Sequence, residues 1–452
     1  MVDGLQRPIL FVLSLVLLYL IVSFCLFAKS GELFSPLVWF SAMYGGYVIG
    51  GIYFSFDTIN LGKFFALSGI PVSKIDFYIV IAQIYTVICY IMFATGYYLG
   101  DKKQNFCPIR YQNNKRYRPG LFLIGPLFLL TGFSYWLYTT YVLAGGPIEM
   151  FKSFSSFIYL LEENPISTLP YHFYFIGSYF LFFYTIFHTK RFPKVFVIIV
   201  LGGLLMLLSK GRITSALTYA LSFMVMYYFV YHDSISIKKW LIYFCGVVAC
   251  GLVFLFLRVS SAYYYIGKDD PLRALSGFYQ ILEVFLEVLI GWGNVTDIQQ
   301  LVLTFNVWSI WHPLLGISYF DWLINLFANT FGYEPVTMGM RILKIYFPDK
   351  VGGPTPGAIG EAYANFSLMA PVFMLFVGFG FSKAYSYVKK SGDILTVFLY
   401  ANFLVTFVFL YAKVDSSLIL GFLWAALPTV FALLCVNTVA RDLRILQRDK
   451  ND

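Results

Sequence analysis

Charge is scarce in this 452-residue chain: Asp, Glu, Lys and Arg make up 12% of it, against about 25% in soluble domains. Histidine is scarcer still, and the four residues are dispersed, which excludes a multi-histidine metal centre. The six cysteines, at 25, 89, 107, 245, 250 and 435, show no metal-ligand spacing. Five of them sit in apolar runs and read as small core residues. No basic folded surface is present, which leaves nucleic acid out as a partner. The first apolar run, Ile9 to Phe27, lacks a small-x-small cleavage site and is long for a signal-peptide core. It reads as a retained span.

What the chain has in abundance is apolar surface: 59% hydrophobic residues, with 49 Phe and 36 Tyr. A bilayer is the solvent that suits this composition, because a hydrocarbon core of about 30 Å is crossed by about 20 apolar residues and such runs recur along the chain. The expected fold is all-α, a single polytopic membrane domain over 1–452 with about eleven spans. These are placed at 8–28, 33–54, 76–100, 120–141, 171–188, 194–209, 213–231, 240–257, 366–382, 393–411 and 417–437. One alternating set of connections, with the C-terminal tail, holds 19 Lys plus Arg; the short connections of the other set, with the N-terminus, hold seven. Lys and Arg concentrate in short cytoplasmic loops. This places the N-terminus outside and the tail inside, and accounts for most of the +9 net charge.

A long external loop, 258–365, is expected between spans 8 and 9. Within it Arg273, Gly277, Gln280, Glu283 and Glu287 follow one helical stripe, which reads as a helix lying in the interface. If its two semi-apolar pieces crossed instead, the count would become thirteen. Glu283 and Glu287 read as a solvated face more readily than as paired glycosidase carboxylates. His312 reads as a packed residue beside Pro313, and Asp269-Asp270 as a loop or helix-start feature. Gly46 and Gly50 have small-xxx-small spacing for helix packing.

Several cations fall on the outer side, against the orientation rule. "SKGR" makes a minimal outer turn with Lys210 and Arg212; Arg258 ends the next outward span; Lys413 and Asp415 share another short turn; Arg341 and Lys344 lie late in the long loop. Such cations can snorkel to headgroups. Converging on one face, they can instead hold an anionic ligand, since Arg grips phosphate oxygens bidentately and keeps its charge when partly desolvated. The block "GGPTPGAIGEAYANFSLMAP" then leads from a non-helical Gly/Pro segment into a span, with Thr355 or loop backbone as its cap and Glu361 in the first turn or two. Glu361 either complements the helix dipole or, partly desolvated, serves as a base.

The "SKGR" turn, the long loop, the "GAIGEAYANF" block entering a span and the late "KVDSS" turn together resemble the O-antigen polymerases, the Wzy-type enzymes. Arg341 to Gly352 also matches the family's Arg-x10-Gly spacing. The chain departs from members with two large external loops, so roles belonging to a second loop are not carried over. The resemblance implies a metal- and cofactor-independent glycosyltransferase at the periplasmic face of the bacterial inner membrane. It would polymerise undecaprenyl-diphosphate-linked oligosaccharide repeats, with membrane lipid and a chain-length regulator as partners. Arg212, Lys210, Arg258 and Arg341 would then stabilise the leaving diphosphate. Glu361 would act as base, with Asp415 the second choice, and Tyr263, Tyr264 and Trp311 would stack on sugars. An O-antigen ligase, needing a loop His such as His312, and a flippase of lipid-linked sugars are the alternatives.

Overall fold

The computed structural model describes residues 3–27, 32–56, 70–101, 115–152, 170–189, 194–209, 213–231, 242, 245–246, 249, 298–308, 313–321, 323–325, 336–346, 355–409, 411–412, 416 and 423–448. Every regular element among them is helical. Of the eleven expected runs, 240–257 falls largely outside the described residues; each of the others carries a helix. Apolar stretches long enough to cross a membrane occur at Arg7–Phe27, Pro36–Phe56, Lys74–Gly100, Arg118–Ala144 and Gly357–Ser391. Outward-facing Leu26 and Phe27 are 78% and 76% exposed, apolar surface that lipid covers and water does not. The chain has the composition and helices of a membrane-embedded protein.

The chain forms two compact units. The first comprises 1–106, 286–390 and 402–422; the second comprises 107–285, 391–401 and 423–452.

Unit 1 is built on α1 (Asp3–Phe27), α2 (Pro36–Phe56) and α3 (Val72–Gly100), which pack on one another. α1 and α2 approach closely at Gly51: a Cβ there would lie 1.9 Å from Ser14 Oγ. Later in the chain, α12 (Ala370–Ser391) runs alongside α3 in the same direction. Added Cβ atoms at Gly96 and Gly378 would lie 1.9 Å from the Leu375 carbonyl and 2.0 Å from the Phe93 carbonyl. Gly96→Ala is therefore expected to destabilise unit 1 by about 1–3 kcal/mol through overpacking. Alanine's better helix propensity, about 1 kcal/mol, does not offset a clash with rigid backbone. A lower melting temperature in detergent is the readout.

Unit 2 rests on an antiparallel pair, α4 (Arg118–Ala144) and α6 (Tyr171–Thr189). Cβ atoms at Gly132 and Gly177 would lie 2.3 Å from Tyr174 N and 2.4 Å from Leu129 N. Small residues let membrane helices approach this closely. Preceding α6 is the short α5 (Pro147–Lys152); following it are α7 (Lys194–Ser209) and α8 (Ile213–Tyr231). Only residues 210–212 separate those last two helices, as the minimal "SKGR" turn requires. The unit is completed by α13 (Ile394–Asn402), whose start is capped by Asp393 Oδ2 accepting from the Leu395 and Thr396 amides at 3.2 and 3.1 Å. Its last helix, α14 (Leu423–Arg448), runs well past 437; the basic end "RDLRILQR" continues the helix.

Two findings depart from the sequence reading. The helix expected to run from the Glu361 block into the span at 366–382 is interrupted: α11 (Gly357–Phe366) stops, Ser367–Met369 makes a tight 3-10 turn, and α12, which carries the span, follows. The break sits at Ser367, whose φ is 50° and ψ −124°. Second, part of the long loop is core: α9 (Ile298–Val307) is buried along most of its length against α2, α3 and α11.

Candidate functional site

The site grows from the break in the α11–α12 element. Gly357 opens α11 with φ 65°, and a Cβ there would lie 2.6 Å from the Ala412 carbonyl and 3.1 Å from the Tyr47 hydroxyl. Glycine is required on both counts. Pro356 occupies the cap position and makes no side-chain cap bond. At the other end, Tyr85 donates to the Ser367 carbonyl at 2.6 Å. Tyr47 and Tyr85 lie near the midpoints of α2 and α3. Hence α11 lies across unit 1 about halfway along those helices, and Glu361 with it.

Glu361 is fully buried, with 0% exposure. Its Oε1 accepts from the Ser318 hydroxyl at 2.8 Å and from the Ser416 hydroxyl at 2.6 Å; Oε2 accepts from the Ser416 amide at 2.7 Å. One turn on, Asn365 donates through Nδ2 to Ser318 Oγ at 2.6 Å and to the Glu361 carbonyl at 2.8 Å. Three separate stretches of chain, around 318, 361–365 and 416, are thus tied to one carboxylate. Hydrogen bonds to a charged acceptor are the stronger kind, contributing about 1.5–3 kcal/mol each.

Ser318 belongs to a 3-10 turn, Ile317–Phe320, that ends at Asp321. Asp321 is also wholly buried, and Arg341, in the short helix α10 (Met338–Tyr346), forks onto it: Nε to Oδ2 at 3.1 Å and Nη2 to Oδ1 at 2.7 Å. Arg341 keeps 30% of its side chain exposed. The turn 317–321 therefore carries one residue on each carboxylate system. Beside it, Tyr319 stacks on Phe366 and Phe373, and its hydroxyl lies 3.4 Å from that of Tyr411. Burial pushes the Tyr319 phenol well above its usual range, with Tyr411 and Glu361 acting in the same direction. It stays protonated.

Backbone strain concentrates here as well. Leu315 (φ 52°) and Ser367 (φ 50°) are the non-glycine residues with positive φ among the described residues. They flank the same helix end, since the Leu314 and Leu315 amides donate to the carbonyls of Ala364 and Asn365. Residues held in such regions cost on the order of 1–3 kcal/mol and gather at functional sites.

Of the expected site residues, Glu361 and Arg341 are placed here. Lys210, Arg212, Arg258, Tyr263, Tyr264, Trp311 and Asp415 lie outside the described residues, as do Glu283, Glu287 and His312. The sequence reading missed Ser318, Asp321, Asn365 and Ser416. Asn365 was findable, one helical turn from Glu361; Ser416 adjoins the Asp415 that was singled out. No group of His, Cys, Asp or Glu suited to a metal ion occurs among the described residues. Comparison with protein-family models, curated proteins and solved structures returns no match to this chain.

Proposed function

We propose that this protein is a polyprenyl-diphosphate-dependent glycosyltransferase that polymerises lipid-linked oligosaccharide repeats at the outer face of the bacterial inner membrane. The N-terminus lies in the periplasm and the tail in the cytoplasm, with eleven spans. The observation that carries the reading is Glu361, a buried carboxylate gripped by two serines at a strained break between helices. It stands in the block that resembles the O-antigen polymerases. Intramembrane carboxylates are costly and mark working sites.

The geometry suits a relay. As the acceptor sugar hydroxyl attacks the anomeric carbon of the donor glycan, its proton passes to Ser416 Oγ. Ser416 in turn gives its own proton to Glu361 Oε1, 2.6 Å away. The C–O bond to the diphosphate breaks, and undecaprenyl diphosphate leaves with the electron pair. Arg212, Arg258 and Lys210 stabilise the charge that develops on it. Asp321 orients Arg341, its fork using Nε and Nη2. Tyr263, Tyr264 and Trp311 supply stacking surfaces for the sugars.

A flippase of lipid-linked sugars is the second reading. It is favoured by the broken helix α11–α12, because discontinuous helices near mid-depth carry sites in transporters. The test is elongation by pure protein in detergent, where no gradient exists. A polymerase lengthens lipid-linked repeats there; a flippase leaves them unchanged. In the same assay Arg212→Ala is expected to abolish elongation while the protein still inserts. Wild-type product lengths from that variant would remove the diphosphate role.

A further inference from the structure

A polar seam runs through the interior of unit 1, away from the carboxylate cluster. Ser41, Tyr44 and Tyr47 follow at three-residue steps on α2, and Gln83, Thr86, Tyr90 and Tyr97 share one stripe of α3. The stripes meet: Tyr90 and Ser41 hydroxyls lie 2.6 Å apart, and the rings of Tyr44 and Tyr90 4.9 Å apart. All are buried to nine-tenths or more. At one end Tyr47 reaches the start of α11, beside the Glu361 cluster. At the other, Tyr97 comes within electrostatic range of Glu32, which pairs with Lys389 at 2.7 Å in a largely buried salt bridge.

Apolar residues would fill such a seam at lower cost. Among the described residues, the Tyr44 hydroxyl, Gln83 Oε1 and the Tyr97 hydroxyl are buried without a hydrogen bond; Ser35 stands near Tyr97, outside bonding geometry. Each such group costs about 1–3 kcal/mol if dry, and bound water is the usual remedy. Between the Tyr44–Tyr90 level and Tyr97 the seam is interrupted. Phe40 and Phe93 stack there at 4.2 Å, and Phe381 meets both edge-on at 6.1 Å. Apolar constrictions of this kind close water paths by dewetting.

We infer that unit 1 contains a gated proton path. Water and tyrosine hydroxyls carry protons between the Glu361 cluster and the Glu32–Lys389 pair, and the Phe40–Phe93–Phe381 plug closes it at rest. Each proton entering at one end is matched by one released at the other, and only O–H bonds are exchanged. The inference does not depend on the glycosyl-transfer reading, because the flux is measured without any glycolipid.

The full-length protein is reconstituted into phosphatidylethanolamine–phosphatidylglycerol vesicles holding a pH-sensitive dye, with a potassium gradient and valinomycin setting the potential. Wild-type protein is expected to add little to the flux of protein-free vesicles. Phe93→Ala should raise it several-fold, and adding Tyr44→Phe to Phe93→Ala should return it to the wild-type value. Phe93→Leu serves where the Ala variant does not reconstitute, with the same directions expected. The inference is overturned if neither Phe93 variant conducts more than wild type, or if the double variant leaks as fast as the single one. Melting temperature gives a second reading: a water-bridged Tyr44 hydroxyl makes Tyr44→Phe less stable, whereas a dry orphan makes it more stable and sinks the proposal.

Discussion

Glu361→Gln is expected to fold, insert and yet lose chain elongation by about 100- to 10,000-fold, the usual contribution of general acid–base catalysis. The reasoning starts from the donors around the carboxylate. The Ser416 amide can only donate, so the glutamine oxygen must face it and the NH2 must face the two serine hydroxyls. Hydroxyls rotate and accept as readily as they donate. Ser318 Oγ already accepts from Asn365 at 2.6 Å and has a second lone pair. The amide therefore keeps partners for its own oxygen and NH2, while the two serine hydroxyl hydrogens that pointed at Oε1 must turn to other acceptors; it takes no proton from Ser416. Glu361→Ala differs: it strands the buried Ser416 amide, at a cost of about 1–3 kcal/mol, and should lower the melting temperature as well as the rate. Undiminished elongation in Glu361→Gln, in protein that melts like wild type, would falsify the relay.

Ser416→Ala probes the same relay from the other side. It removes the hydroxyl but leaves the backbone amide on Oε2, so the carboxylate keeps its orientation. Elongation should fall while the affinity for lipid-linked substrate holds, a change in kcat rather than KM. Ser318→Ala removes the other hydroxyl and should weaken the turn more than the rate. If both serine variants lose activity and stability alike, the cluster is a clamp rather than a relay.

The helices were legible because bilayer-spanning runs announce themselves by length and apolarity, and the short stretch between α7 and α8 was legible because 37 residues hold two spans and almost no loop. The break at Ser367 was not. "NFSLMAP" carries no glycine at the break, and an unbroken apolar run continues past it; the residue adopts positive φ because Tyr85, from a helix far away in sequence, holds its carbonyl. Helix α9 escaped for the opposite reason. "IQQLVLTFNV" is a run of ten residues, too short to announce a span, inside a stretch that reads as a long external loop. Glu361 was findable as a lone acid entering a span. Its serines were not, being 43 and 55 residues away and of a common type. Arg341 was read as a phosphate ligand without its carboxylate, since nothing in sequence links it to Asp321, 20 residues earlier.

That pair gives the largest expected effect on stability, and the effect is asymmetric. Arg341→Ala leaves Asp321 wholly buried with its forked partner gone; breaking a buried pair in this way costs about 3–5 kcal/mol. Asp321→Ala leaves Arg341 in a position where 30% of the side chain already meets the surroundings, so the guanidinium can turn outward and be solvated. The expected order of melting temperatures in detergent is wild type, then Asp321→Ala, then Arg341→Ala. The double variant should recover part of the loss of Arg341→Ala, because the buried carboxylate is removed together with the guanidinium that forks onto it. Activity divides the same variants differently: without Asp321 the cation is still present but unaimed, so elongation should drop less than in Arg341→Ala and respond more steeply to salt, as a solvated charge is screened and a buried pair is not. Equal melting temperatures for the two single variants would mean that Asp321 finds compensation elsewhere, and Arg341 would then have to be judged by its effect on the diphosphate alone.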